Sequence, residues 1–216
     1  MADTVSRPGA QEWVPSRPTL PRLRSAVDDC RGCELYADAT QAVLGDGPDD
    51  APLLVVGEQP GDKEDLAGEP FVGPAGKLLD KALESAGIAP ESVFRTNAVK
   101  HFRHEGTRGK QRIHKTPGRA HVVACQPWLL AELSVVRPVG VVLLGATAGQ
   151  AVYGSSFRVG ASRGTRMEWP SSLEIAATPE WVVPTVHPSS ILRSRQRDAD
   201  LEAFVADLRV AASLLP

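Results

Sequence analysis

The residues whose types and spacing suit chemistry are three cysteines, three polar motifs and one histidine in a cationic run. Cys30-Arg-Gly-Cys33 is a CxxC, and Cys125 follows about ninety residues later. A tight turn between two thiolates points both sulfurs inward, so such a pair can hold one metal centre. Cys125 is then either a further ligand or a buried small hydrophobe on the stretch VVACQPWLL. A thioredoxin-type redox pair fits less well, because the CxxC follows a helical stretch near the N-terminus instead of opening a helix after a strand. A fourth ligand must be a histidine or a carboxylate. His121, four residues before Cys125 and on the same helical face, has the better spacing; His101, just past the run TNAV, competes with it.

His114 sits in GKQRIHK (109–115). From Lys100 to Arg119 there are seven cations, Lys100, Arg103, Arg108, Lys110, Arg112, Lys115 and Arg119, against the single acid Glu105. The whole chain has a formal net charge of -2 and a pI near 6.2, which excludes a protein that coats nucleic acid wholesale. Contact with phosphate must come from this local patch. A charge run is usually a solvated face. On these grounds alone His114 is a reagent, a ligand or a bystander.

The elements that must position these groups follow from periodicity. A chain of 216 residues, 42% hydrophobic, suits one well-packed domain. Residues 1–20, with Pro8, Pro15 and Pro18, are expected to be a mobile tail, and 21–216 a single domain. No stretch has the length of a signal core or a membrane span, so the protein is expected in the cytoplasm, with no membrane partner. An odd cysteine count is not a disulfide framework. A short helical segment is expected from Leu20 to Leu35. PLLVVG (52–57), VFRTNAV (93–99), VGVVLLG (139–145) and WVVPTVH (181–187) predict four buried parallel strands. Helical patterns span 75–86, 119–136, 146–153 and about 198–213. Alternating strands and helices predict an α/β fold, a three-layer α/β/α sandwich around a four-stranded parallel sheet. Ligands of such sheets bind beyond the carboxyl ends of the strands. The segments leaving those ends hold most of the unusual chemistry.

Three of these segments, GEQPGDKEDLAGEPFVGPAG (57–76), TNAVKH (96–101) and VHPSSILR (186–193), together and in this order resemble the motifs of the uracil-DNA glycosylase superfamily. The likeness is closest to its iron-sulfur branch, and within it to the X-type enzymes that become covalently crosslinked to uracil-containing DNA. It covers nearly the whole chain from about Cys30 onward. The resemblance implies a [4Fe-4S] cluster on Cys30, Cys33, Cys125 and His101. X-type members also carry histidine at that last position, which overrides the spacing preference for His121; zinc on the same residues is the fallback.

The resemblance also implies roles in cutting the bond between uracil and deoxyribose. The reaction needs the base out of the stack, the leaving charge stabilised, and the cationic sugar carbon tolerated until something attacks it. Phe71 is expected to stack on the flipped base and Asn97 to read its O4 and N3–H edge. His187 is expected to donate to the departing O2. Gly57 and Gly61 let the backbone approach, Gln59 bonds the base, and Glu58 positions water or balances sugar charge. Asp62 and Asp65 are candidate acids of the same motif, with helix-start capping as the alternative. Ser189, Ser190 and Arg193, with Lys110 and Arg112, are the expected phosphate contacts.

X-type members insert a loop ending in Lys/Arg-Arg-Ile-His, and this chain has Lys110-Gln111-Arg112-Ile113-His114 in an inserted basic loop at about 103–118. Gln111 departs from the family pattern. The resemblance thus implies that His114 attacks the sugar carbon and stays attached. Single-stranded uracil-containing DNA is the expected substrate, and a monomer the expected state. The rivals are a multiple-turnover glycosylase using water, a uracil-DNA or abasic-site binder without catalysis, and a redox sensor resting on the cysteines.

Overall fold

The structure, a computed structural model, describes residues 7–216. In chain order its elements are α1 (Leu20–Val27), β1 (Leu53–Gly57), α2 (Asp62–Ala67), α3 (Pro74–Ser85), β2 (Val93–Asn97), β3 (His104–Arg108) and β4 (Gln111–His114). There follow α4 (Arg119–Val136), β5 (Gly140–Leu144), α5 (Gly145–Tyr153), α6 (Val159–Ser162), β6 (Trp181–Thr185), α7 (Pro188–Leu192) and α8 (Arg197–Ser213).

The four apolar runs form one parallel sheet in the order β2-β1-β5-β6. Every residue of β1, β5 and β6 is buried, because helices cover both faces of a parallel sheet. Side chains alternate between two cores. Leu54 and Val56 pack with Phe94, Trp128, Leu133 and the three cysteines, whereas Leu53 and Val55 pack with Leu79, Leu83, Trp181 and Phe204. This is the expected three-layer sandwich. The register sets Gly57 beside Asn97, so two of the motifs end side by side.

Three expectations differ in detail. The first helix stops at Val27, where the Asp28 carboxylate turns to accept from the Ala42 N–H, leaving the CxxC in the following turn. The inserted basic segment is an antiparallel hairpin, β3–β4, turning through Gly109 at φ +65. Its residues are mostly exposed, so neither strand carries an apolar alternation to read. Residues 1–6 of the expected tail lie outside the described residues. Beyond them the chain is seated on the domain: the Gly9 N–H donates to Gly32 O at 3.0 Å, and the buried Ala10 donates to Ala124 O at 2.8 Å. A Cβ on Gly32 would meet Gly9 C at 2.8 Å, so this contact needs glycine there. Among the described residues no helix is long and apolar enough to cross a membrane.

Candidate active site

In this sheet β1 connects toward β2 on one side and β5 toward β6 on the other, so the crevice opens beyond Gly57 and Leu144. Glu58 leaves β1 there. Across the crevice the Thr147 hydroxyl, in the first turn of α5, donates to Glu58 Oε2. From above, hairpin residue His114 brings Nε2 to 3.2 Å from Glu58 Oε1. Burial pushes the Glu58 carboxyl up, but the hydrogen bonds from His114 and Thr147, with the charges of His114 and His187, hold it below the usual carboxylate range. Nothing in the sequence singled out Thr147; only the strand order places it opposite Glu58.

Gly57, Asn97 and Phe71 meet on one side. A Cβ at position 57 would lie 2.3 Å from Asn97 Oδ1 and 2.8 Å from Phe71 Cζ, so only glycine lets the three approach. Phe71 itself is held at φ +61, with Gly76 so close that a Cβ there would meet Phe71 O at 1.6 Å. A bulky residue in the left-handed region costs about 1–3 kcal/mol. The turn that aims this ring is therefore over-determined by its neighbours. The ring stacks toward His187, with centroids 6.5 Å apart and planes at 25°.

His187 caps α7 through its ring. Nδ1 accepts from the Ser189 N–H at 3.2 Å and lies 2.9 Å from the Ser189 hydroxyl. Burial draws its pKa down to about 4, opposed by the Glu58 charge and reinforced by His114 and Arg193. A neutral ring that accepts at Nδ1 carries its proton on Nε2, which is then a donor. The Ser190 hydroxyl bonds His187 O at 2.7 Å. Both serines expected on phosphate thus bond His187 locally, while Arg193 is exposed beside them.

The glycine-acid motif has partners other than those expected. Gln59 Nε2 donates to the carbonyls of Arg103 and Lys115, and Oε1 accepts from the Arg103 N–H, so this side chain clamps the base of the hairpin. Asp62 and the fully buried Asp65 both pair with Arg112, at 2.6 and 2.8 Å. Asp65 also accepts from the Thr40 N–H. Arg112, expected on DNA, is instead a brace between hairpin and α2, lying 5.2 Å over the Phe102 ring. His104 and His114 stand over the same ring, with centroids 5.2 and 6.2 Å away. Gly61 faces Glu64: a Cβ there would be 2.5 Å from Oε2, and Glu64 also takes the Gly73 N–H. Glu64 and Phe102 went unnoticed in the sequence because each sits in a motif read for other residues.

The basic patch is also thinner than its composition. Lys100 is fully buried against Glu132, Lys115 pairs with Glu105, and Arg103 bonds Thr116 O. At the hairpin tip, Arg108 and Lys110 are exposed with no carboxylate partner among the described residues.

Cys30, Cys33, Cys125 and His101 are all buried, the three cysteines in one core. N–H groups point at two of the sulfurs: Trp128 Nε1 at 3.3 Å from Cys30 Sγ and the Lys100 N–H at 3.2 Å from Cys125 Sγ. Burial raises the Cys33 thiol and pushes Cys125 up to about 12, although Lys100 works against it. A metal centre reverses this, since its charge deprotonates a coordinating thiol, and N–H donors to sulfur suit a ligated thiolate. Burial also lowers His101 to about 4, leaving the neutral imidazole that a metal requires. His121 is committed elsewhere, accepting from the Gly118 N–H at Nδ1 and meeting Glu34 at Nε2. Among the described residues no group of three or more His, Cys, Asp or Glu converges on a single ion.

The uracil DNA glycosylase superfamily model matches residues 44–209. The chain is 35% identical over 173 residues to the type-4 uracil-DNA glycosylase of Thermotoga maritima, spanning 80% of this chain and 82% of that one. It is 32% identical over 174 residues to that of Pyrobaculum aerophilum, covering 81% and 85% of the two chains. To that of Saccharolobus solfataricus it is 31% identical over 202 residues, covering 91% and 88%. With a strand-end crevice built from the same segments, this chain belongs to the uracil-DNA glycosylase superfamily.

Proposed function

We propose that the protein excises uracil from DNA and is then trapped on the abasic sugar through His114. The reading is carried by the 3.2 Å approach of His114 Nε2 to Glu58 Oε1 at the carboxyl end of β1. A flipped uracil stacks on Phe71 and is read by Asn97, whose amide can donate to O4 and accept from N3–H. As the glycosidic bond breaks, its electron pair leaves on uracil, and the Nε2–H of His187 stabilises the O2 anion. Glu58 balances the cationic sugar. The imidazole lone pair of His114 then forms the bond to C1′, and the ring N–H proton passes to Glu58.

Cys30, Cys33, Cys125 and His101 are the residues that would hold a [4Fe-4S] cluster. When bound, it ties the N-terminal turn, the segment after β2 and helix α4 into one unit. The hairpin tip, with Arg108 and Lys110, tracks phosphate, and single-stranded substrate spares the unpairing cost.

The test is reaction with a uracil-containing single-stranded oligonucleotide, read by denaturing gel and intact-protein mass. A species of protein plus DNA minus uracil, mapping to His114 and absent from His114→Ser, is the expected result. Free uracil in molar excess over protein would overturn the trapping and leave a turnover glycosylase. No free uracil at all would overturn excision and leave a binding module.

A further inference from the structure

Lys100 and Glu132 form an ion pair at 2.6 Å with both side chains at 0% exposure. Such a pair is a poor source of stability, because the desolvation of two charges commonly cancels their attraction. Its geometry suggests another use. An ammonium has three donors, and Lys100 Nζ has three acceptors: Glu132 Oε2 at 2.6 Å, Thr96 Oγ1 at 2.8 Å and the carbonyl oxygen of Asn97 at 2.6 Å. None is left for a ligand. Glu132 is similarly engaged, taking the Gly45 N–H at 2.7 Å and the Thr96 hydroxyl.

The third acceptor belongs to the residue whose amide reads the base. Asn97 ends β2, and the chain then turns through Ala98 and Val99, whose N–H groups bond Gly57 O and Glu58 O. That turn is held to β1 by those two bonds and from beneath by the Lys100 ammonium. We propose that the Lys100–Glu132 pair is the positioning device for Asn97, fixing the main chain of the uracil-reading residue so that its amide meets the base edge beside Gly57. The inference rests on the assignment of uracil reading to Asn97.

The replacement that leaves no lone buried charge is the double change Lys100→Met/Glu132→Leu, since apolar residues often substitute for a buried pair without loss of stability. Three readouts separate positioning from support: thermal melting, affinity for uracil-free DNA, and the single-turnover rate of uracil release at saturating DNA. The expected result is a folded protein whose melting temperature falls only as far as the Gly45 N–H and Asn97 carbonyl left without partners require, with DNA affinity unchanged and release slowed about 10²-fold, the scale of an ångström-sized misplacement. Inhibition by free uracil weakens in parallel. A folded double variant that releases uracil at the wild-type rate overturns the proposal. If that variant does not fold, Thr96→Val, near in shape and removing one of the three acceptors, decides it: slower release with intact DNA affinity supports positioning, an unchanged rate overturns it. Asn97→Ala is the control for the underlying assignment. If it releases uracil normally, the reading of Asn97 has failed, whatever the double variant does.

Discussion

Gln59 and Arg103 exchange hydrogen bonds in both directions, Nε2 donating to Arg103 O at 3.0 Å and Oε1 accepting from the Arg103 N–H at 3.1 Å. One side chain thus imitates a β-strand partner for the first residue of the insertion. Through its bond to Lys115 O it holds the other end too. Because Gln59 follows Glu58, the hairpin is anchored one residue from the carboxylate that its own His114 meets.

Gln59→Leu keeps the bulk and removes the clamp. The expected loss of stability is about 1–3 kcal/mol per buried group left unpaired. Adduct yield should fall about 10²-fold, as the attacking ring loses its position, while release of free uracil persists. Quantifying both products in one reaction checks this. An equal fall in the two would mean that Gln59 serves the base pocket and not the hairpin.

Thr147 lowers the Glu58 carboxyl by donating to it. Removing that donor in Thr147→Val should raise the pH at which Glu58 takes up a proton. The acid limb of the rate profile then moves to higher pH, with the rate near neutrality little changed. Glu58→Gln, which cannot balance the sugar charge, should slow release by about 10²–10³-fold. Single-turnover rates measured across pH test both, and an unmoved acid limb in Thr147→Val would assign that limb to another group.

The sheet and its main helices were legible because burial on both faces writes Leu-Val runs, as at Leu53–Gly57 and Gly140–Leu144. The motifs at strand ends were legible as a set, since only the fold brings Gly57 beside Asn97 and Phe71 beside His187. Partners were not. Whether Gln59 bonds a base or a hairpin, and whether Arg112 meets phosphate or two carboxylates, depends on contacts between residues 44 and 50 positions apart in the chain. A run of cations likewise reads as one patch, although Lys100 faces inward and Lys110 outward. The hairpin left no pattern because an exposed pair of strands buries no alternating face.

Gln111 departs from the X-type pattern, an uncharged side chain where that pattern carries a cation. In the structure Gln111 is exposed, and the hairpin is ordered by Arg112 through Asp62 and Asp65. Gln111→Arg should therefore tighten DNA binding and steepen its salt dependence by about one phosphate contact, with no change in the fraction of bound complexes that crosslink. Arg112→Ala should do the opposite, leaving two carboxylates without their cation and cutting the crosslinked fraction. Filter binding over a salt series, followed by denaturing gels of the same samples, separates the two effects.

His187 gives the fold a pH dependence whose sign is fixed. Its folded pKa is about 4 because burial disfavours the imidazolium, whereas an unfolded chain protonates histidine near ~6.5. Between these values the unfolded state binds more protons, so stability is full above about 6.5 and is lost as pH falls toward 4. The loss attributable to this residue is on the order of 3 kcal/mol at the acid end. Through most of that window the ring of the folded protein is neutral, with its Nε2–H free to act as a donor. His101 adds a slope of the same sign, so the contribution of His187 is the difference from His187→Gln, which keeps a polar side chain that does not titrate. Urea unfolding of both proteins at pH 7 and pH 4.5 should show the gap in stability narrowing as pH falls. Parallel curves would mean that the imidazole is as solvated in the folded protein as in the unfolded chain, and the assignment of its proton to Nε2 would fall with it.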